Sequence, residues 1–276
     1  MSREMKIQEK YHYLCQRPKS VGQAAERLDE VIGILRKECP WDRVQTHHSL
    51  RPYLLEEAYE VCEAIDTEDS INLREELGDV LLQVVLHAAI AQEEGLFDWK
   101  DVINEECDKM LRRHPHVFSD EKAKTVDKVV EKWENVKSKE HGNATQTERL
   151  SDVPKALPSL TRSQKVQKRA GDAGLDWKDI AGPLSKIREE LDEWEEALAT
   201  GEREAMSEEL GDLLFSVVNA ARHAGLDPEA SLHKATDKFI KRFRSLEIET
   251  ERQGIHLAEA DISVLDALWE KIKNRA

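Results

Sequence analysis

Apolar residues recur three and four positions apart along most of the chain, as in Leu54, Leu55, Ala58, Val61, Cys62 and Ile65. That is the spacing of one helix face, and strand-like alternation is absent. The pattern breaks over Thr67 to Asn72 and again at Thr200-Gly201. Each region therefore reads as a helix, a turn and a second helix, with Gly201 just past a helix end. The fold class predicted is all-α. The longest apolar stretch, Val80 to Ala91, is interrupted by Gln83 and His87. It falls short of the ~20 residues that a spanning helix needs, so no membrane partner is expected.

The pattern also repeats. Leu54 to Leu86 and Ile187 to Asn219 align without a gap at a constant offset of 133, with 14 of 33 positions identical. Seven of the identities are acidic: Glu56/Glu189, Glu57/Glu190, Glu60/Glu193, Glu63/Glu196, Glu75/Glu208, Glu76/Glu209 and Asp79/Asp212. A solvated helix face tolerates Glu, Gln and Lys alike, so carboxylates that match better than the apolar positions point to chemistry. Past small insertions, Asp108 to Arg113 answers Asp237 to Arg242, and Lys132 to Lys137 answers Leu268 to Lys273. Pro154 and Pro158 disfavour helix between the halves. The chain thus divides into 1–147 and 148–276. A two-helix hairpin with flanking helices leaves apolar surface bare, and such bundles commonly complete themselves by pairing, so a homodimer is expected.

Charge narrows the function. The 276 residues carry a formal charge of −15, which disfavours a nucleic-acid polymer as partner. Only short basic clusters occur: Arg162 to Arg169 (including Lys168 and Arg169), Lys109 to Arg113, and Lys238 to Arg244. Each suits a small anion. The charged N-terminus lacks the apolar core of a secretory signal, so the cytoplasm is expected. Cys15, Cys39, Cys62 and Cys107 have no C-x-x-C spacing and read as reduced, buried, small hydrophobes.

On the first helix of each repeat Glu57 and Glu60 (Glu190 and Glu193) share a side, and on the second so do Glu76 and Asp79 (Glu209 and Asp212). An antiparallel hairpin brings the pairs together. Four converging carboxylates repel unless a cation neutralises them, and hard oxygen donors suit Mg²⁺, or Mn²⁺ in its place, rather than zinc. The paired interior glycines Gly78 and Gly211 suggest close backbone packing beside the site. With no glycine-rich phosphate loop in the chain, metal and Lys/Arg are left to handle phosphate.

Leu55-Glu-Glu-Ala-Tyr-Glu-Val61, Glu75-Glu-Leu-Gly-Asp-Val-Leu-Leu82, Cys39-Pro-Trp-Asp42, Arg112-Arg-His-Pro-His-Val-Phe118 and Lys165-Val-Gln-Lys-Arg169 together resemble the MazG nucleoside triphosphate pyrophosphohydrolases, within the all-α NTP pyrophosphatase superfamily. The resemblance covers nearly the whole chain. It implies Mg²⁺-dependent cleavage of NTPs and dNTPs between the α and β phosphates, in nucleotide-pool control or house-cleaning, with the C-terminal half as the principal catalytic one. Implied metal ligands are Glu190, Glu193, Glu209 and Asp212, with Glu57, Glu60, Glu76 and Asp79 in the first half and Glu189 a further catalytic candidate. Nucleotide contacts are implied for Lys238, Arg242 and Trp269, with Lys109, Arg113 and Trp133 as counterparts. Lys168 and Arg169 complete the substrate-binding candidates. Other classes compatible with the same residues are a non-catalytic nucleotide and Mg²⁺ sensor acting through helix-mediated assembly, and a ligand-free acidic scaffold.

Overall fold

The structure is a computed structural model that describes residues 8–119, 125, 128–129 and 145–274. Contacts divide it into two units, Met1–Glu140 and His141–Ala276. Every regular element among the described residues is helical. None of these helices is long and apolar enough to cross a membrane.

In the first unit, a 3₁₀ turn at Glu9–Cys15 precedes α1 (Val21–Glu38), α2 (His47–Asp66), α3 (Ser70–Glu93), α4 (Trp99–Arg113) and the short α5 (Pro115–Phe118). Local chemistry starts the helices where they start. The Thr46/Ser49 and Asp98/Asp101 pairs form capping boxes, and Asp69 accepts from the amides of Ile71 and Asn72. Each satisfies backbone donors that a helix start leaves bare. Helices α2 and α3 pair as the hairpin that the pattern predicts, and α1 packs on α3. Ile32, Leu50, Val85, Leu86 and Ile90 form the core, with Leu28, Leu82, Ala89 and Trp99 against it. Arg36 ties three segments together by donating to Glu93 Oε1 and Oε2 (2.9 and 2.6 Å) and to the carbonyls of Asp42 and Gln45 (2.5 and 3.0 Å).

The second unit runs α6 (Gln146–Ser151), α7 (Ser159–Asp172), α8 (Ala181–Thr200), α9 (Arg203–His223), α10 (Pro228–Gln253) and α11 (Ile262–Lys273). Gly201 ends α8 at φ 73° and Gly254 ends α10 at φ 67°, left-handed positions where glycine has no Cβ penalty. Helices α8 and α9 form the second hairpin, α7 packs on α9, and α11 packs on α10.

Two expectations are corrected. Nothing lies within 4 Å of a Cβ built on Gly78 or Gly211, so neither glycine serves close packing among the described residues. Cys15, Cys62 and Cys107 are free and exposed, and Cys39 is half-buried. Cys62 shares its helix with Leu55, Tyr59 and Ile65, which are 45%, 54% and 56% exposed. That face is exposed among the described residues.

Candidate active site

Each hairpin gathers its carboxylates. In the first unit Glu57 of α2 and Glu76 and Asp79 of α3 place oxygens within 4.8 Å of one another. Glu60 joins them through hydrogen bonds to Glu57 and Glu76. Burial pushes the Glu57 carboxyl up to about 7, aided by its hydrogen bond to Glu60 and the charges of Asp79, Glu60 and Glu76. Glu76 is raised for the same kinds of reason, burial first. Both shifts are the signature of acids crowded without a counter-charge.

In the second unit Glu190 and Glu193 of α8 and Glu209 of α9 converge within the same 4.8 Å. Glu190 is buried, only 4% exposed. Its Oε2 has no hydrogen-bond partner among the described residues. Burial raises Glu193, as do the charges of Glu190, Glu209 and Glu189, while Lys186 opposes the shift. Lys186 was not among the sequence candidates. One turn before Glu190 on α8, its Nζ lies 2.5 Å from Glu190 Oε1 and 2.8 Å from Glu189 Oε1. These two carboxylates hold the ammonium pKa above its ordinary value. At the same offset of 133 the first unit has Tyr53, so a lysine at this position belongs to the second repeat alone. That difference in the alignment was the available signal.

Asp212 lies outside the tight trio but lines, with Glu190 and Lys186, a cavity of about 560 Å³. Its other walls come from α7, α9 and the segment Leu175 to Trp177. Two glycines let that segment come close. A Cβ on Gly182 would fall 2.5 Å from the Trp177 ring, and one on Gly171 would fall 2.7 Å from Asp176 Oδ2. Asp176 accepts from Arg222 (2.9 and 2.5 Å) and lies 2.9 Å from His223 Nε2, and these partners hold its carboxyl well below the usual range.

The remaining candidates lie elsewhere in their units. Lys238 is exposed on α10, and Arg242, half-buried on the same helix, has an Nε with no hydrogen-bond partner among the described residues. Trp269 of α11 packs on Phe239 with ring centres 5.1 Å apart, against the cluster of Leu246, Leu268 and Ile272. Lys168 is exposed on α7, while Arg169 donates to the Arg149 carbonyl. Lys109 pairs with Glu106, and Arg113 is half-buried at the end of α4. Trp133 lies outside the described residues.

The donor set fits a hard divalent cation. It consists of carboxylate oxygens from both arms of a hairpin, and in the second unit one buried oxygen lacks a partner among the described residues.

Comparison with known proteins agrees with the repeat. The MazG nucleotide pyrophosphohydrolase domain matches twice, at residues 45–118 and 183–246. The chain belongs to the MazG family. It is 43% identical over 257 residues to the nucleoside triphosphate pyrophosphohydrolase of Escherichia coli K12, covering 90% of this chain and 98% of that one. It is 45% identical over 251 residues to the nucleoside triphosphate pyrophosphohydrolase/pyrophosphatase MazG of Thermotoga maritima, covering 89% and 95%. A crystal structure of a MazG-related protein from Thermotoga maritima aligns with 41% of this chain and 98% of its own, at 33% identity and a TM-score of 0.37. Both MazG matches span a complete acidic hairpin, α2 with α3 and α8 with α9.

Proposed function

We propose that this chain is a nucleoside triphosphate pyrophosphohydrolase that cleaves NTPs and dNTPs between the α and β phosphates, releasing a nucleoside monophosphate and pyrophosphate. The observation that carries the reading is the convergence of Glu190, Glu193 and Glu209 within 4.8 Å beside a cavity of nucleotide size, in a MazG-family chain.

Glu190, Glu193 and Glu209 hold the cation, with Asp212 at the cavity edge beside them. Mg²⁺, or Mn²⁺ in its place, neutralises phosphate charge when bound and makes water a better nucleophile. Lys186 supplies positive charge beside Glu190, to offset that of a bound phosphate. A carboxylate of the set that does not hold the cation accepts the proton of the attacking water. The leaving group is then pyrophosphate, whose charge the same cations offset.

The partner is a second copy of the chain. Leu184, Leu191 and Leu198 recur every seven residues on α8 at 39%, 39% and 43% exposure, and Leu210, Leu214 and Val217 form a stripe on α9 at 40%, 49% and 45%. Apolar stripes of this spacing pair with their like. The reading as a nucleotide-pool enzyme of the cytoplasm goes with this assignment.

Product identification tests the activity. Incubated with Mg²⁺, each NTP is to yield only monophosphate and pyrophosphate, and EDTA is to stop it. Diphosphate and orthophosphate as products would place the cut at the other anhydride and overturn the reading.

A further inference from the structure

We infer that the cavity of the second unit is a nucleobase pocket in which Gln167 supplies a hydrogen-bond acceptor and Asn219 a donor to the base edge. The inference rests on the proposed function for the phosphate end of the ligand. Gln167, on α7, is 6% exposed and lines the cavity. Its Nε2 donates to the Phe215 carbonyl at 2.7 Å. That bond fixes the amide so that Oε1, buried and without a hydrogen-bond partner among the described residues, is the free end. An acceptor left bare in a protein interior is costly unless something arrives to satisfy it.

Asn219 is fixed in the opposite sense. Its Oδ1 accepts from Arg222 Nε and from the Arg222 terminal nitrogen at 3.1 and 2.8 Å. Arg222 is in turn held by both oxygens of Asp176. The chain from Asp176 through Arg222 to Asn219 consumes the amide oxygen and leaves the NH₂ group as a donor. Gln167 bonds to the carbonyl of Phe215, one helical turn before Asn219 on α9, so both amides belong to the wall that this helix lines. Trp177 and Phe215 add aromatic surface to the same cavity, and Glu190 and Asp212 line it too. A volume of about 560 Å³ is that of a small-ligand site. Beside its charged groups the lining offers aromatic surface, one fixed acceptor and one fixed donor, as a flat heterocycle with both functions on its edge requires.

The first unit lacks this wall. Continuing the offset of 133, Phe215, Asn219 and Arg222 correspond to Leu82, Leu86 and Ala89, and Gln167 to Ile34. Leu86 belongs to the core of that unit, and Leu82 and Ala89 pack on it. The repeat thus kept the carboxylates in both halves and the amides in one.

The test is calorimetric binding of AMP, CMP, GMP, UMP, ribose 5-phosphate and pyrophosphate to the full chain with Mg²⁺, for wild type, Asn219→Asp and Gln167→Met. Asn219→Asp keeps an acceptor for Arg222 and exchanges the donor for a charged carboxylate oxygen, whose electrostatic effect the pyrophosphate control reads. Gln167→Met keeps the volume and removes the acceptor. At least one nucleoside monophosphate is to bind each variant about tenfold or more weakly than wild type, while pyrophosphate binds all three alike. Unchanged monophosphate affinity in both variants overturns the proposal, and so does an equal loss for pyrophosphate, which marks a merely structural role. Wild type that binds monophosphates no better than ribose 5-phosphate also overturns it and leaves the phosphate chemistry standing. Base-dependent binding without pyrophosphate release from any NTP sinks the proposed reaction instead and leaves the pocket.

Discussion

Lys186 Nζ lies 2.5 Å from Glu190 Oε1, one helical turn along α8, and the first unit has no equivalent of this pair because Tyr53 takes the lysine's place. The ammonium offsets the charge of a buried carboxylate. Lys186→Met leaves Glu190 without a counter-charge, so the metal-free second unit should lose about 1 kcal/mol, a figure reduced for the lysine's partial exposure. The Mg²⁺-induced rise in Tm should grow in the same variant. Melting curves in EDTA and in Mg²⁺ check both; an unchanged Mg²⁺ increment would mean that lysine and metal do not compete for Glu190.

The first acid set offers a pH test. Glu57 titrates near 7 in the folded chain because of burial, its hydrogen bond to Glu60 and the surrounding charges, against about 4.3 when unfolded. Between those values the native state binds more protons, so the Glu57 contribution to stability is fully present below the unfolded pKa and is lost as pH rises through about 7. In EDTA the first transition of wild type should fall in temperature from pH 5 to pH 8, and Glu57→Gln should flatten that fall. Added Mg²⁺ at pH 6 should release protons, measured with a pH indicator in weak buffer. A Glu57→Gln curve parallel to wild type would place the titration elsewhere.

Glu68 adopts φ 56°, a left-handed backbone in which the second repeat uses Gly201 at φ 73°. A side chain there costs about 1–2 kcal/mol, partly offset by the entropy that a glycine loses on folding. Glu68→Gly should therefore stabilise the first unit by roughly 0.5–1 kcal/mol and raise its melting midpoint by about 2–4 °C. A lowered midpoint would show that the Glu68 side chain contributes contacts worth more than the strain.

Trp177 depends on the bare backbone of Gly182, where a Cβ would reach 2.5 Å from the indole. Gly182→Val should push the ring away from α8, shift the tryptophan fluorescence of the metal-free protein and raise KM for NTPs several-fold. Identical emission and KM would show that the ring has room to yield without disturbing the cavity.

Much of this architecture was legible in the sequence. Apolar spacing of three and four gives the hairpins, and the matched acids on facing helices bring Glu57 to Glu76 and Asp79, and Glu190 and Glu193 to Glu209, though Asp212 stays outside its trio. Gly201 announced its own cap. Lys186 escaped because an i,i+4 lysine before a glutamate is also the commonest ornament of a solvated helix. The polar wall escaped for a different reason. Gln167 meets the Phe215 carbonyl 48 residues away, and a tertiary hydrogen bond leaves no periodic trace in either segment. The resemblance implied a nucleotide contact for Trp269, and within its unit the ring lies on Phe239. Gly78 and Gly211 looked like close contacts because an interior glycine costs stability, yet nothing approaches either one.

The most direct measurement is pyrophosphate release from each common NTP and dNTP with Mg²⁺, for wild type beside Glu57→Gln/Glu60→Gln and Glu190→Gln/Glu193→Gln. The account predicts turnover in wild type and in the first double variant, and a loss of at least a hundredfold in the second. Full turnover after Glu190 and Glu193 are replaced would contradict the placement of the reaction in the second hairpin.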